Sequence, residues 1–169
     1  MKNKNLIHTQ NVEWEGDKYT VELYDSTDFS SLSPITQVQA ICFLRGSDKV
    51  VLYKDKNDNY GLPGGSIEEG ESLEQTLRRE LKEEAAVEVI NYEPLLYVHS
   101  YIPEDEKEEF GYQVRFWANV ELLDQEVNDP DDKAVERVVT DIDHALEKLG
   151  WGKKAEIYFE KAKEKRKNN

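Results

Sequence analysis

The sequence predicts an α/β fold, one domain in which a mixed β-sheet is held between helices. Three observations predict it. β-rich runs lie on both sides of a single strongly amphipathic helix that begins at Ser72, and two further helical segments close the chain. The length, 169 residues, suits one domain with a real core.

Taken in order, Asn11 to Tyr24 alternates around Glu15-Gly16-Asp17 and reads as a hairpin, and Ser26 to Pro34 reads as a linker. Thr36 to Leu44 and Lys49 to Tyr53 are β-rich and separated by Gly46-Ser47-Asp48, a second hairpin. Lys56-Asn57-Asp58-Asn59 is a turn cluster. A glycine-rich loop, Leu62 to Gly70, leads into the central helix. Ser72-Leu73-Glu74-Gln75 is a capping-box pattern, with Ser72 as N-cap and Gln75 as its reciprocal partner. Val87 to Tyr101 and Tyr112 to Leu122 read as strands, with acidic loops at Glu104 to Glu109 and Leu123 to Lys133. Helices follow at Asp141 to Leu149 and Lys153 to Lys165. In the second, Ala155, Tyr158, Phe159 and Ala162 form a core-facing stripe. No repeat or domain-scale break interrupts the chain. Residues 1–169 therefore read as a single domain, with an N-terminal hairpin extension and linker (1–35), a core (36–150) and a C-terminal helix (151–169).

Composition excludes several function classes. A formal net charge of −14 argues against nonspecific contact with a nucleic-acid polymer or an anionic membrane. It leaves room for a small polyanion, because divalent cations invert the local potential. Met1 to Gln10 is polar and lacks the apolar stretch of a signal peptide, and no run reaches membrane-spanning length. The single cysteine, Cys42, lies in the apolar run Ala40 to Leu44 and reads as a small buried hydrophobe, so a disulfide framework is excluded. A cytoplasmic location is expected.

The chemistry concentrates in Leu62 to Glu84. Gly64 and Gly65 permit backbone conformations closed to other residues and let carbonyls approach a ligand. The loop is no phosphate cradle of the Walker type, since no Gly-Lys-Ser/Thr follows. In the helix, Leu73, Leu77 and Leu81 mark a buried face, while Glu80, Glu83 and Glu84 stand at i, i+3 and i+4. At 100° per residue, Glu84 projects within roughly 20° of Leu77 and Glu80 within roughly 60°. Two carboxylates thus border a core, where they lose hydration and repel each other, and a hard cation with oxygen ligands relieves both costs. Taken alone, these glutamates also fit an ordinary charged helix face, with Glu74–Arg78 and Arg79–Glu83 as i, i+4 pairs. The glycine loop at a fixed distance upstream shifts the balance.

Gly65, Glu71, Arg79, Glu80, Leu81, Glu83, Glu84 and Val87 stand at the spacings of the Nudix box: glycine, five residues, glutamate, seven residues, Arg-Glu, an apolar residue, any residue, Glu-Glu, any residue, glycine, an apolar residue. With the lead-in Leu62-Pro63-Gly64, this stretch resembles the signature of the Nudix hydrolase family, and a looser likeness runs from about Thr36 to Leu149. The resemblance implies an α/β/α sandwich that hydrolyses a nucleoside diphosphate linked to another group X, with Mg²⁺ or Mn²⁺. It implies Glu80, Glu83 and Glu84 as metal ligands with the Gly64 carbonyl, and Gly65, Glu71 and Arg79 as supports. One departure is Ala86, which stands where the family has the glycine that ends the helix; it removes no ligand.

Glu80, Glu83 and Glu136 are the catalytic candidates. In the family the base is a helix glutamate or a downstream loop acid, which here points to Glu80 first and Glu136 second. Arg45, Lys54 and Arg115 are candidates for phosphate contacts, and Tyr60 for substrate contact as an aromatic ahead of the glycine loop. The expected substrate is a small nucleotide, first a nucleoside triphosphate, oxidised or not. ADP-ribose or another nucleotide sugar is the alternative that the resemblance implies through Pro103, which lies at about the distance beyond the box typical of the family's ADP-ribose hydrolases. A Nudix-like nucleotide-binding regulator without catalysis is the reading from another class, and the intact carboxylates argue against it. The protein is expected to be a monomer or a homodimer.

Overall fold

A computed structural model describes residues 5–103 and 105–169, the side chains of 105–110 excepted. Its elements are β1 (Leu6–Trp14), β2 (Asp17–Tyr24), β3 (Ile35–Leu44), β4 (Val50–Lys54), β5 (Tyr60–Gly61), β6 (Gly64–Ser66), α1 (Leu73–Ala85), β7 (Val87–Ile102), β8 (Asp105–Leu122), β9 (Glu136–Thr140), α2 (Ile142–Leu149) and α3 (Lys153–Lys167). The strands form one sheet in the order β1-β2-β7-β8-β3-β4-β5, with β6 paired to β3 and β9 to β4. Since β3 and β8 run parallel and the other pairs antiparallel, the sheet is mixed, as expected.

The alternation of β3 explains the layers. Val38, Ala40 and Cys42 face α1, where they pack with Leu77, Leu81 and Ala85. Ile41 and Phe43 face the other way, into a core built with Leu149 of α2 and Ala155, Tyr158, Phe159 and Ala162 of α3. A strand buried on both faces needs an unbroken apolar run, and Ala40 to Leu44 supplies it. Cys42 is fully buried. No helix among the described residues is long and apolar enough to cross a membrane.

The N-terminal hairpin turns at Glu15 (φ 52°) and Gly16 (φ 88°), two left-handed residues that match the twist of its strands. It does more than extend the chain. β2 pairs with β7 from Thr20↔Tyr101 to Tyr24↔Tyr97, and Val21 and Leu23 join the core. The acidic segment expected as a loop at Glu104 to Glu109 is corrected in part: Glu104 lies outside the described residues, and β8 already begins at Asp105. Register with β7 (Tyr101↔Glu109) explains this, because backbone pairing outweighs the low β-propensity of the acidic residues.

At the start of α1, Ser72 Oγ accepts from the Gln75 N–H (3.2 Å) and Gln75 Oε1 from the Ser72 N–H (2.8 Å), so the capping box is closed. At its end, Ala86 adopts the left-handed cap (φ 48°, ψ 50°) and donates its N–H to Lys82 O at 3.0 Å. Ala86 is fully buried, so its methyl group gains burial while its backbone is strained. Two substitutions separate these effects. Ala86→Gly relieves the strain and loses the methyl, so denaturant unfolding is expected to stay within about 1 kcal/mol of wild type. Ala86→Val adds bulk and β-branching at the same left-handed position and is expected to cost more than about 2 kcal/mol.

Candidate active site

Backbone pairing delivers the glycine loop to the helix. β6 lies antiparallel on β3, with Gln37↔Ser66, Val38↔Gly65 and Gln39↔Gly64 in register. Gly64 has φ 148°, and a Cβ there would lie 2.1 Å from Val38 O. A Cβ on Gly65 would lie 2.5 Å from the Glu80 carboxylate. Both positions need glycine, because the loop lies at backbone distance from β3 at Gly64 and against the Glu80 carboxylate at Gly65. The Gly64 N–H donates to Glu84 Oε2 at 2.9 Å and fastens loop to helix.

Arg79 organises the remaining carboxylates. It binds Glu71 through two parallel bonds, Nε to Oε1 at 2.7 Å and Nη2 to Oε2 at 2.9 Å. Its Nη1 donates to Glu80 (2.8 Å) and Glu83 (3.2 Å), and its Nη2 to Ser66 O (3.1 Å). Glu71 also accepts from the Thr76 hydroxyl at 2.7 Å and from the Glu68 N–H at 3.2 Å. The Arg79 and Thr76 bonds hold its carboxyl down at about 2. Glu80 and Glu84 are 4% and 2% exposed, which places both at the edge of the buried face as the helix angles predict. Burial pushes the Glu80 carboxyl upward, opposed by Arg79. It pushes Glu84 up to about 7, against the pull of Lys133 and the Gly64 N–H.

Lys133 is the residue that sequence reasoning missed. Its ammonium forms a close ion pair with Glu84, donates to Gly64 O at 3.0 Å and lies 4.9 Å from the centre of the Tyr53 ring. Asp129 shapes the turn that presents it, accepting from the backbone N–H of Lys133 (2.9 Å) and Ala134 (2.8 Å). In sequence Lys133 is only the end of an acidic loop. Asp129 signals a turn there, but nothing signals that the side chain reaches a residue far upstream.

Among the described residues no three acidic, histidine or cysteine side chains converge as a metal cluster; Arg79 and Lys133 hold the carboxylates instead. The donor set nonetheless fits a hard divalent cation. It consists of carboxylate oxygens and a backbone carbonyl, and a positive charge already stands where Glu84 and Gly64 O meet.

The other sequence candidates are dispersed. Glu136 opens β9, with its side chain 57% exposed and its carboxylate 2.6 Å from Lys54 across the β4–β9 pair. Tyr60 lies beneath Lys148, whose ammonium is 4.6 Å from the ring centre. Arg45 follows the far end of β3, six residues beyond Gln39 and so ~20 Å along the strand, and is paired with Glu121. The structure does not bring it to the glycine loop. Arg115 is buried on the opposite face of the sheet, below α3.

The Glu71–Arg79 anchor has a pH signature. The folded-state value of Glu71, about 2, lies below its ordinary 4.5, so its stabilisation is present above pH 4.5 and fades as pH falls through 2. Glu71→Gln is expected to lower denaturant stability near neutral pH, with the gap to wild type closing progressively in titrations from pH 5 to 2. A gap independent of pH would refute the ion pair as its source.

A sequence model of the NUDIX domain matches residues 35–160. A search of curated proteins returns no match. Among solved structures, the chain resembles the pyrophosphohydrolase BsRppH of Bacillus subtilis, in a single-substitution form (21% identity, 79% of this chain and 77% of that one, TM-score 0.62). It also resembles a Listeria monocytogenes protein assigned to the NUDIX hydrolases (19%, 81% and 97%, TM-score 0.61) and an Ap4A hydrolase of Caenorhabditis elegans in a binary complex (16%, 80% and 99%, TM-score 0.52). At these identities the likenesses establish the fold, an α/β/α sandwich, while the domain match spans most of the chain. The chain therefore belongs to the NUDIX domain family of hydrolases.

Proposed function

We propose that this protein hydrolyses the phosphoanhydride bridge of a nucleoside diphosphate linked to a group X, with a nucleoside triphosphate, oxidised or not, as first choice and ADP-ribose as the alternative. The observation that carries the reading is the meeting of Glu84 and the Gly64 carbonyl on one cationic position beside buried Glu80. Glu80, Glu83, Glu84 and the Gly64 carbonyl are assigned as the holders of Mg²⁺ or Mn²⁺, with Gly65, Glu71 and Arg79 in support. Such a cation neutralises the pyrophosphate and acidifies bound water.

The protein's own contribution is positional. Arg79 fixes Glu80 and Glu83 by direct bonds and ties them, through Glu71, to the loop. Gly65 leaves the Glu80 carboxylate room against the backbone. Water attacks phosphorus, the new P–O bond replaces the bridging one, and a carboxylate takes the water's proton. Glu80 is the first assignment for that acceptor, because burial raises its basicity where the reaction is placed. Glu136 is the second; its carboxylate is committed to Lys54 and would have to leave it. The intact carboxylates disfavour a purely regulatory role. Among the relatives, the B. subtilis protein is a pyrophosphohydrolase and the C. elegans one an Ap4A hydrolase, which is in keeping with this chemistry.

Turnover of nucleoside triphosphates, ADP-ribose, dinucleoside polyphosphates and coenzyme A with Mg²⁺ or Mn²⁺ tests the reading. Glu83→Gln and Glu84→Gln are expected to lower kcat by about 100-fold or more with the fold retained; unchanged turnover refutes the ligand assignment. Wild-type kcat in Glu136→Gln removes that residue from the mechanism. A separate expectation concerns Lys133. Lys133→Met is expected to tighten Mn²⁺ binding, read by electron paramagnetic resonance, by about tenfold. It should also lower the melting temperature of the metal-free protein, because Glu84 then remains buried without a cation.

A further inference from the structure

Behind the glycine loop, on the α3 face of the sheet, a buried arginine and a half-buried lysine stand together without an acid. Arg115, in the middle of β8, is only 4% exposed. Its Nη2 donates to Gln113 Oε1 at 2.9 Å, its Nη1 makes a long bond to Val114 O at 3.4 Å, and its plane lies 5.5 Å from the Tyr158 ring centre. Lys154 sits in the first turn of α3, four residues before Tyr158 and hence on the same face of the helix. Its ammonium lies 4.9 Å from the Trp151 ring centre. Neither Arg115 nor Lys154 has a carboxylate within ion-pair distance among the described residues, although the chain carries 36 acidic residues. Burial and the neighbouring Arg115 push Lys154 down to about 8, which still leaves it largely charged at neutral pH.

The same patch holds three of the five buried polar atoms that have no hydrogen-bond partner among the described residues: Arg115 Nε, Trp117 Nε1 and Gln39 Oε1. They are neighbours by register, since Gln39 pairs with Arg115 across β3 and β8, and Trp117 follows on the same face of β8. A satisfied core does not leave two donors, an amide oxygen and like charges gathered this way. The patch stands on the α3 face, opposite the carboxylates of α1, but near the glycine loop along the sheet: Arg115, Gln39 and Gly64 are in register across three adjacent strands, two interstrand spacings or about 10 Å from β8 to β6.

We infer that Arg115 and Lys154, with Gln39, Gln113 and the Trp117 indole N–H, form an anion subsite that takes a phosphate group of the substrate away from the cleaved bridge. Guanidinium, ammonium and indole donors suit the several acceptor oxygens of a phosphate better than a neutral sugar. The subsite rests on the hydrolase reading and narrows it, favouring an X that itself bears phosphate over a nucleotide sugar with a neutral X. It also answers how a protein of charge −14 attracts a polyanion: the positive charge is local and turned towards the ligand.

Calorimetric titration of inorganic phosphate and of ADP into the metal-free protein tests this without turnover, so failure here is distinct from failure of the hydrolase reading. Both ligands are expected to bind and to compete. Lys154→Met, which keeps the length of a partly exposed side chain, is expected to weaken both at least tenfold, and Lys154→Arg to restore them; circular dichroism confirms that the variants are folded. Three results overturn the proposal. Neither ligand binds, ADP binds Lys154→Met as tightly as wild type, or phosphate binds without competing with ADP. The last would assign the patch to a free anion and not to the substrate.

Discussion

One hydrogen bond organises the site. The Gly64 N–H donates to Glu84, twenty residues later, and so fastens a strand fragment on β3 to the inner face of α1. Gly65 then rests against Glu80, and Arg79 closes the circuit through Ser66 O and Glu71. A Cβ at Gly64 would meet the β3 backbone and one at Gly65 the Glu80 carboxylate, so either would push the loop from its place, and without the loop two buried carboxylates would lose their neighbours.

Much of this was legible in the sequence, and the reason is locality. The capping box, the leucine stripe of α1 and the edge positions of Glu80 and Glu84 follow from helix geometry over a few residues, and the structure shows each of them. The helix end at Ala86 was readable from the resemblance, which puts a helix-ending glycine there, and the alanine keeps the left-handed cap that suits a glycine. The mixed sheet followed from element order, and the domain match and structural likenesses agree with it.

What was not legible depends on register between distant strands. Lys133 meets Glu84 only because β9 and its preceding loop return to β4, and Val135 N–H bonds to Lys54 O at 2.9 Å. Arg115 was one of three basic candidates for a phosphate contact, and nothing in the sequence set it apart until its pairing with Gln39 and its position under α3 were known. Arg45, an equal candidate by sequence, follows the far end of β3 and is paired with Glu121. The start of β8 within an acidic run follows the same rule, since its pairing partner lies on β7.

The loop that carries Lys133 is tied at both ends. The Leu123 N–H donates to Ala86 O at 2.9 Å, Arg137 bonds both Ala86 O (2.7 Å) and Leu123 O (3.2 Å), and Val135 is bonded to β4. Asp129 cross-links its interior. A segment pinned in this way has little freedom to swing open as a lid. When Lys133 yields its position, the motion available is rotation of its own side chain, an event of picoseconds to nanoseconds where the side chain is exposed and slower against a buried partner. On the proposed metal assignment, exchange of one positive charge for another at Glu84 is then a local event that leaves the tied backbone around it in place.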